Sequence, residues 1–285
     1  MATVFPLQRQ AASPAPARAR VADDAVLLRA AADLTRALST PDPRIYWADL
    51  ILSALVGYAA LVAAILADGV GSTLGFGAIA VLALYRAESF VHEVSHMKHS
   101  ALPGFWAGWN ALVGVPFLVP SFMYEGVHNL HHARTRYGTV DDPEYLPLAL
   151  MKWWTLPSFV LVAALAPLGL LIRYAVLAPL SLLSPRLREI VVTRYSGLVI
   201  NPQFRRRAPE GEAKALWTRL EISASLWAVS FVTLAVTGIL PLKAVLIILG
   251  VASAVAVLNQ VRTLVAHLWE NEGEAMTVTA QYLDS

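Results

Sequence analysis

The 285-residue chain contains no cysteine. That excludes disulfides, thiolate zinc sites, thiolate-held iron–sulfur clusters and a cysteine nucleophile. Any bound metal must therefore be held by nitrogen or oxygen. Charge is also scarce: only 15% of residues are Asp, Glu, Lys or Arg, where a soluble domain carries about a quarter. The net charge of +2 is too small to point to nucleic acid, and the run Arg205-Arg206-Arg207 reads as a solvated face. No Gly-x-Gly-x-x-Gly stretch suggests a built-in nicotinamide or flavin domain. No secretory signal is visible either, because residues 1–20 are rich in Ala, Pro and Arg and lack an apolar core.

Apolar residues are what the chain has in excess, at 57%, and they fall in long runs. A bilayer core of roughly 30 Å needs about 20 apolar residues in a helix. Tyr46 to Ala67 and Ser72 to Ser89 meet this and form a hairpin around Asp68 to Gly71. Ile222 to Leu240 and Leu242 to Leu258 form a second hairpin around Pro241. The expected fold is an all-α integral membrane protein with four spans in two hairpins, supplemented by re-entrant or interfacial helices. Residues 1–40 are expected to be a disordered or amphipathic tail, with a short surface helix over Val26 to Leu38. Residues 41–285 form the membrane domain.

Lys and Arg crowd the N-terminal tail and the stretch Arg186 to Arg219, while the hairpin turns hold only Lys243. The positive-inside rule then puts the tail and the stretch in the cytosol, with the turns outside. Two further apolar stretches carry internal prolines. Phe105 to Phe122 is expected to dip in and return or to lie along the interface. Trp153 to Leu183 must cross an even number of times, as a hairpin or not at all.

Six of the seven histidines fall in two clusters. His92, His96 and His99 follow the second span at spacings of four and three, which align on one face if the helix continues. His128, His131 and His132 repeat that spacing. His267 lies just past the fourth span. In this topology all seven meet at one membrane face as a cytosolic metal site, because neutral imidazole is the common ligand of transition metals.

Several chemistries fit such a site. His92-Glu93-Val94-Ser95-His96 matches the zinc metalloprotease motif, with Glu93 as base, but that leaves His128, His131 and His132 without a role. A metal transporter would predict ionisable groups in mid-span, where this chain has almost none. The number of imidazoles suggests two metals and favours iron that activates O2.

The order H-x-x-x-H after a membrane hairpin and then H-x-x-H-H resembles the membrane fatty acid desaturases and related hydroxylases. So do the stretches Ala101 to Phe105, Glu125 to Asn129, Tyr137-Gly138-Thr139, Asp142 to Tyr145, and Arg262-Thr263-Leu264 leading to His267. The resemblance, in these stretches to bacterial members, runs from about Pro41 to the C-terminus and implies a bacterial inner membrane. It implies a non-haem di-iron centre, with O2 as co-substrate, held by His92, His96, His128, His131, His132 and His267, and with His99 as a less firmly assigned ligand. Glu93, Glu125, Asn129 and Asp142 are expected to orient the rings. The implied reaction is desaturation of a long acyl chain on lipid or thioester, with hydroxylation of a carotenoid or alkane as the neighbouring alternative. The implied partners are a membrane lipid or acyl substrate and an electron donor such as a ferredoxin, with no nucleic acid; the basic segment Arg186 to Arg219 could dock an acidic carrier, but binding anionic lipid or setting the topology is the reading preferred for it. The family carries a third box, again H-x-x-H-H, beyond the isolated histidine. No histidine follows His267 here, and truncation before that box is the expectation.

Overall fold

The computed structural model describes residues 21–36 and 40–285; the expected tail over 1–20 lies outside the described residues. Helix α1 spans Ala25–Thr35, capped by the Asp24 carboxylate, which accepts from the backbone N–H of Val26 and Leu27. It ends short of Leu38, which is itself outside the described residues.

Helices α2 (Pro43–Leu66) and α3 (Val70–His96) form the first hairpin. Asp42 caps α2 and Pro43 occupies its first turn, where a missing N–H costs nothing. The buried stripe of α2 is Leu50, Ala54, Gly57, Ala60 and Ala64, one residue per turn. Small side chains let the two backbones approach. At Gly57 the approach is obligatory, since a Cβ there would lie 2.5 Å from Leu84 Cγ.

Beyond α3, helix α4 (Phe105–Trp109) passes into a π-turn over Asn110–Gly114. The chain then reverses. Ser121 N–H donates to Asn110 Oδ1 at 2.8 Å, and Trp106 Nε1 donates to Glu125 at 2.7 Å. Entry and exit of this segment are therefore side by side. Helix α5 (His128–His131) follows.

The stretch expected as a hairpin or as no crossing is one continuous helical run from Thr155 to Ser181. It is made of α6 (Thr155–Val162), α7 (Ala166–Ile172) and α8 (Ala178–Ser181), joined by a 3-10 turn and a π-turn. The hairpin option is thereby corrected. Pro157, Pro167 and Pro179 each fall in the first turn of a segment, and the irregular turns absorb the lost hydrogen bonds without reversing the chain.

Helix α9 (Pro185–Arg194) leads to the second hairpin, α10 (Gly211–Val236) and α11 (Leu242–Val265). Its turn meets the first, because Lys243 Nζ donates to the carbonyl of Ala67 at 2.5 Å. Arg173, 3% exposed, pairs with Glu221 at 2.6 Å, and Glu221 also takes Arg188 at 2.6 Å. Helix α12 (Val278–Asp284) returns to the opposite end and packs on residues 21–24 through Thr277, Thr279 and Asp23. Among the described residues five helices are long and apolar enough to cross a membrane, and their all-helical fold fits an integral membrane protein.

Candidate metal centre

The last turn of α3 carries His92 and His96 on one face, and α5 with its C-cap carries His128, His131 and His132. These two turns meet. Ring centroids lie 4.8 Å apart for His92 and His128, 4.9 Å for His96 and His132, and 4.6 Å for His92 and His96. One ligating atom from each of His92, His96, His128 and His132 falls within 4.8 Å of all the others. The Nε2 atoms of His128 and His132 are only 3.0 Å apart.

A second pair adjoins this group. His267, two residues past the end of α11, lies 5.2 Å from His131 between ring centroids, and His131 lies 5.0 Å from His132. Tyr145 and Trp269 wall this side. Trp269 holds a left-handed backbone, φ 59°, secured by its indole N–H on Leu264 O at 2.8 Å. The turn that delivers His267 is therefore strained and pinned.

Each buried ring has an orienting partner on Nδ1. For His131 it is Asp142, at 2.9 Å, with both side chains sealed from solvent. For His128 it is Glu144, at 3.0 Å. For His267 it is the Tyr137 hydroxyl, at 2.8 Å, which also donates to Asp284 at 2.9 Å. Holding Nδ1 in this way leaves Nε2 of all three rings as the metal-facing atom.

Burial, reinforced by neighbouring imidazoles, depresses the basicity of the rings. His132 and His267 each fall to about 4, and His128 falls further. Burial beside Asp142 pushes the Glu144 carboxyl well above its usual range, and its Oε1 is a buried atom without a partner among the described residues. Neutral rings with converging lone pairs and nitrogens 3.0 Å apart are what a nitrogen-held cation would satisfy. The donor set fits iron.

His99 is not brought to the cluster. Helix α3 stops at His96, because Met97 turns extended with ψ 142°. The expected three-ring face is thus cut to two, and His99 Nε2 faces Glu125 at 3.2 Å. Of the four expected orienting groups, Asp142 serves His131, Glu125 serves His99, and Glu93 stands 3.7 Å from His92. Asn129 is exposed. Sequence reasoning missed the roles of Glu144, Tyr137 and Asp284. The acid-rich stretch just after the second cluster was the available signal for the first.

Comparison with known proteins agrees with this geometry. The fatty acid desaturase family profile matches residues 71–283. A ceramide hydroxylase of Caulobacter vibrioides (strain NA1000 / CB15N) is 45% identical over 267 residues, covering 94% of this chain and 76% of the relative. No solved structure matches.

Proposed function

The chain belongs to the fatty acid desaturase family, and from that premise we propose that it is an O2-dependent di-iron hydroxylase of the acyl chain of a membrane lipid, with an N-acyl sphingoid lipid as substrate class. The observation that carries the reading is the convergence of His92, His96, His128 and His132 within 4.8 Å beside the His131–His267 pair. The family's chemistry sets aside the zinc protease. The choice of hydroxylation over the desaturation first expected rests on the relative, a ceramide hydroxylase.

His92, His96, His128 and His132 would hold one iron. His131 and His267 would hold part of the sphere of a second. Bound iron supplies the oxidising power, with O2 and two electrons, to break an aliphatic C–H bond. In hydroxylation one C–H bond breaks and one C–O bond forms. The second oxygen leaves as water, with two electrons from the substrate, two from the carrier and two protons from solvent. Asp142, Glu144 and Tyr137 hold the rings in the ligating tautomer, while Trp269 and Tyr145 keep water from the His267 side. Electrons would come from an acidic carrier such as a ferredoxin. Within Arg186 to Arg219, Arg188 and Arg206 are committed inward, to Glu221 and to backbone carbonyls including Glu125 O. Exposed Arg194, Arg207 and Arg219 remain available.

The reading has four crossings, with the histidine end cytosolic. In support, the run Thr155–Ser181 reaches only mid-depth at two separate points. Ser253, which donates to Ala164 O, is eleven residues along α11 from Leu264, which packs with Phe159 against the cluster of Tyr145, Leu148 and Trp269. At 1.5 Å per residue that is a depth of roughly 17 Å. Arg173 sits beside Glu221, ten residues into α10, or roughly 15 Å. A run at that depth at both points lies across the bundle.

The test is turnover of a ceramide by the iron-loaded protein in nanodiscs with a ferredoxin system. A product heavier by one oxygen is expected. A product lighter by two hydrogens would make it a desaturase, and no product from any acyl lipid would remove the reading.

A further inference from the structure

We propose that a groove between α2, α3 and α11, at the histidine end, takes the polar head of the lipid substrate, with Arg262 as its anchor. The inference rests on the lipid-oxygenase reading and adds to it where the substrate's head is held. The groove has a volume of about 430 Å³ and its lining includes Tyr85, Ser89, His92, Glu93 and Arg262. That is the size of a small-molecule site. Tyr85, Ser89 and His92 follow one another at spacings of four and three, so they form a polar stripe on one face of α3 that ends at the metal cluster.

The other charged groups of the groove are already committed. Asp49 accepts from Arg86 Nε at 3.1 Å and from Ser53 at 3.0 Å, and Glu93 accepts from the Tyr46 hydroxyl at 3.1 Å. Arg262, by contrast, is exposed and makes no hydrogen bond or ion pair among the described residues. It stands in the last turn of α11, five residues before His267, with exposed Val261 and Val265 beside it. An arginine that merely marked the bilayer surface would turn to open headgroups. This one lines a cavity that also contains a cluster histidine. A guanidinium fork matches an oxygen acceptor, either a carbonyl or a phosphate. A head held there leaves its acyl chain starting at the foot of His92.

Binding can be read without turnover. The purified chain in phosphatidylcholine nanodiscs is titrated with an N-acyl sphingosine and with its 1-phosphate and followed by native mass spectrometry. Arg262→Gln is expected to weaken binding about tenfold or more, the scale of a charged hydrogen bond, with an unchanged melting temperature. Loss for both lipids identifies the carbonyl they share, and loss for the phosphorylated lipid alone identifies the phosphate. Arg29→Gln, an exposed charge on α1 outside the groove, should bind as wild type. Equal affinity for wild type and R262Q, or an equal loss in R29Q, overturns the anchor while leaving the function reading intact. Failure of the wild type to bind either lipid overturns both.

Discussion

The Asp142 carboxylate lies 2.9 Å from Nδ1 of His131, with side-chain exposures of 0% and 2%. It also accepts from the backbone N–H of Gly138 at 2.7 Å and of Glu144 at 2.8 Å. One buried group thus ties the orientation of a ligand ring to the fold of the turn that carries Glu144. An Asp142→Asn amide must point its NH2 at one of these donors. We expect iron affinity to fall about 10- to 100-fold, the usual cost of losing a partner behind a ligand. Titration of the metal-free protein with Fe(II) or Co(II) reads this directly, and an unchanged affinity would separate Asp142 from the centre.

His96 and His99 are three residues apart, yet their fates diverge. His96 is within the four-ring group, while His99 faces Glu125 and lies 5.0 Å from the Trp106 ring. His96→Ala should abolish stoichiometric metal, and His99→Ala should keep wild-type metal content. A His99→Ala protein that loses iron as His96→Ala does would return His99 to the ligand set.

Acid should destabilise the metal-free protein through the same rings. In the folded state His267 titrates at about 4, against 6.5 for a free imidazole. As pH falls below 6.5 the unfolded chain takes up a proton that the folded chain refuses, so stability declines until about pH 4. For the largely buried His267 that gap is roughly 3 kcal/mol. His132 adds in the same direction with a smaller effect because it is more exposed. Melting curves of apo protein should drop between pH about 6.5 and about 4, and His267→Asn should flatten the decline. A profile without slope in that window would contradict the assignment of these rings as neutral.

Much of this was legible in the sequence, for definite reasons. Length and apolarity mark α2, α3, α10 and α11, and the spacing within each histidine cluster marks which rings share a turn. Periodicity does not say where a helix stops, so His99 looked aligned with His96 until Met97 was seen to leave the helix. Prolines in Trp153 to Leu183 suggested a break, whereas each opens a new helical segment. The link from Tyr137 to Asp284 joins residues 147 apart in sequence, and no local pattern encodes it.

Topology is the remaining test, and a chain without cysteine is a ready background for it. Lys152, Arg186 and Glu212 are exposed positions flanking the Thr155–Ser181 run and the start of α10, while Asp68 and Ile239 are exposed in the two hairpin turns. If the run stays at the depth of Ser253 and Glu221, Lys152→Cys, Arg186→Cys and Glu212→Cys react with an impermeant maleimide from one face only. Asp68→Cys and Ile239→Cys then react only from the other. The basic flanks predict that the first face is the cytoplasmic one. Labelling of Lys152→Cys and Arg186→Cys from opposite faces would mean that the run crosses. In that case α10 and α11 would have to invert, and His267 would be carried away from His131, against the 5.2 Å between their rings.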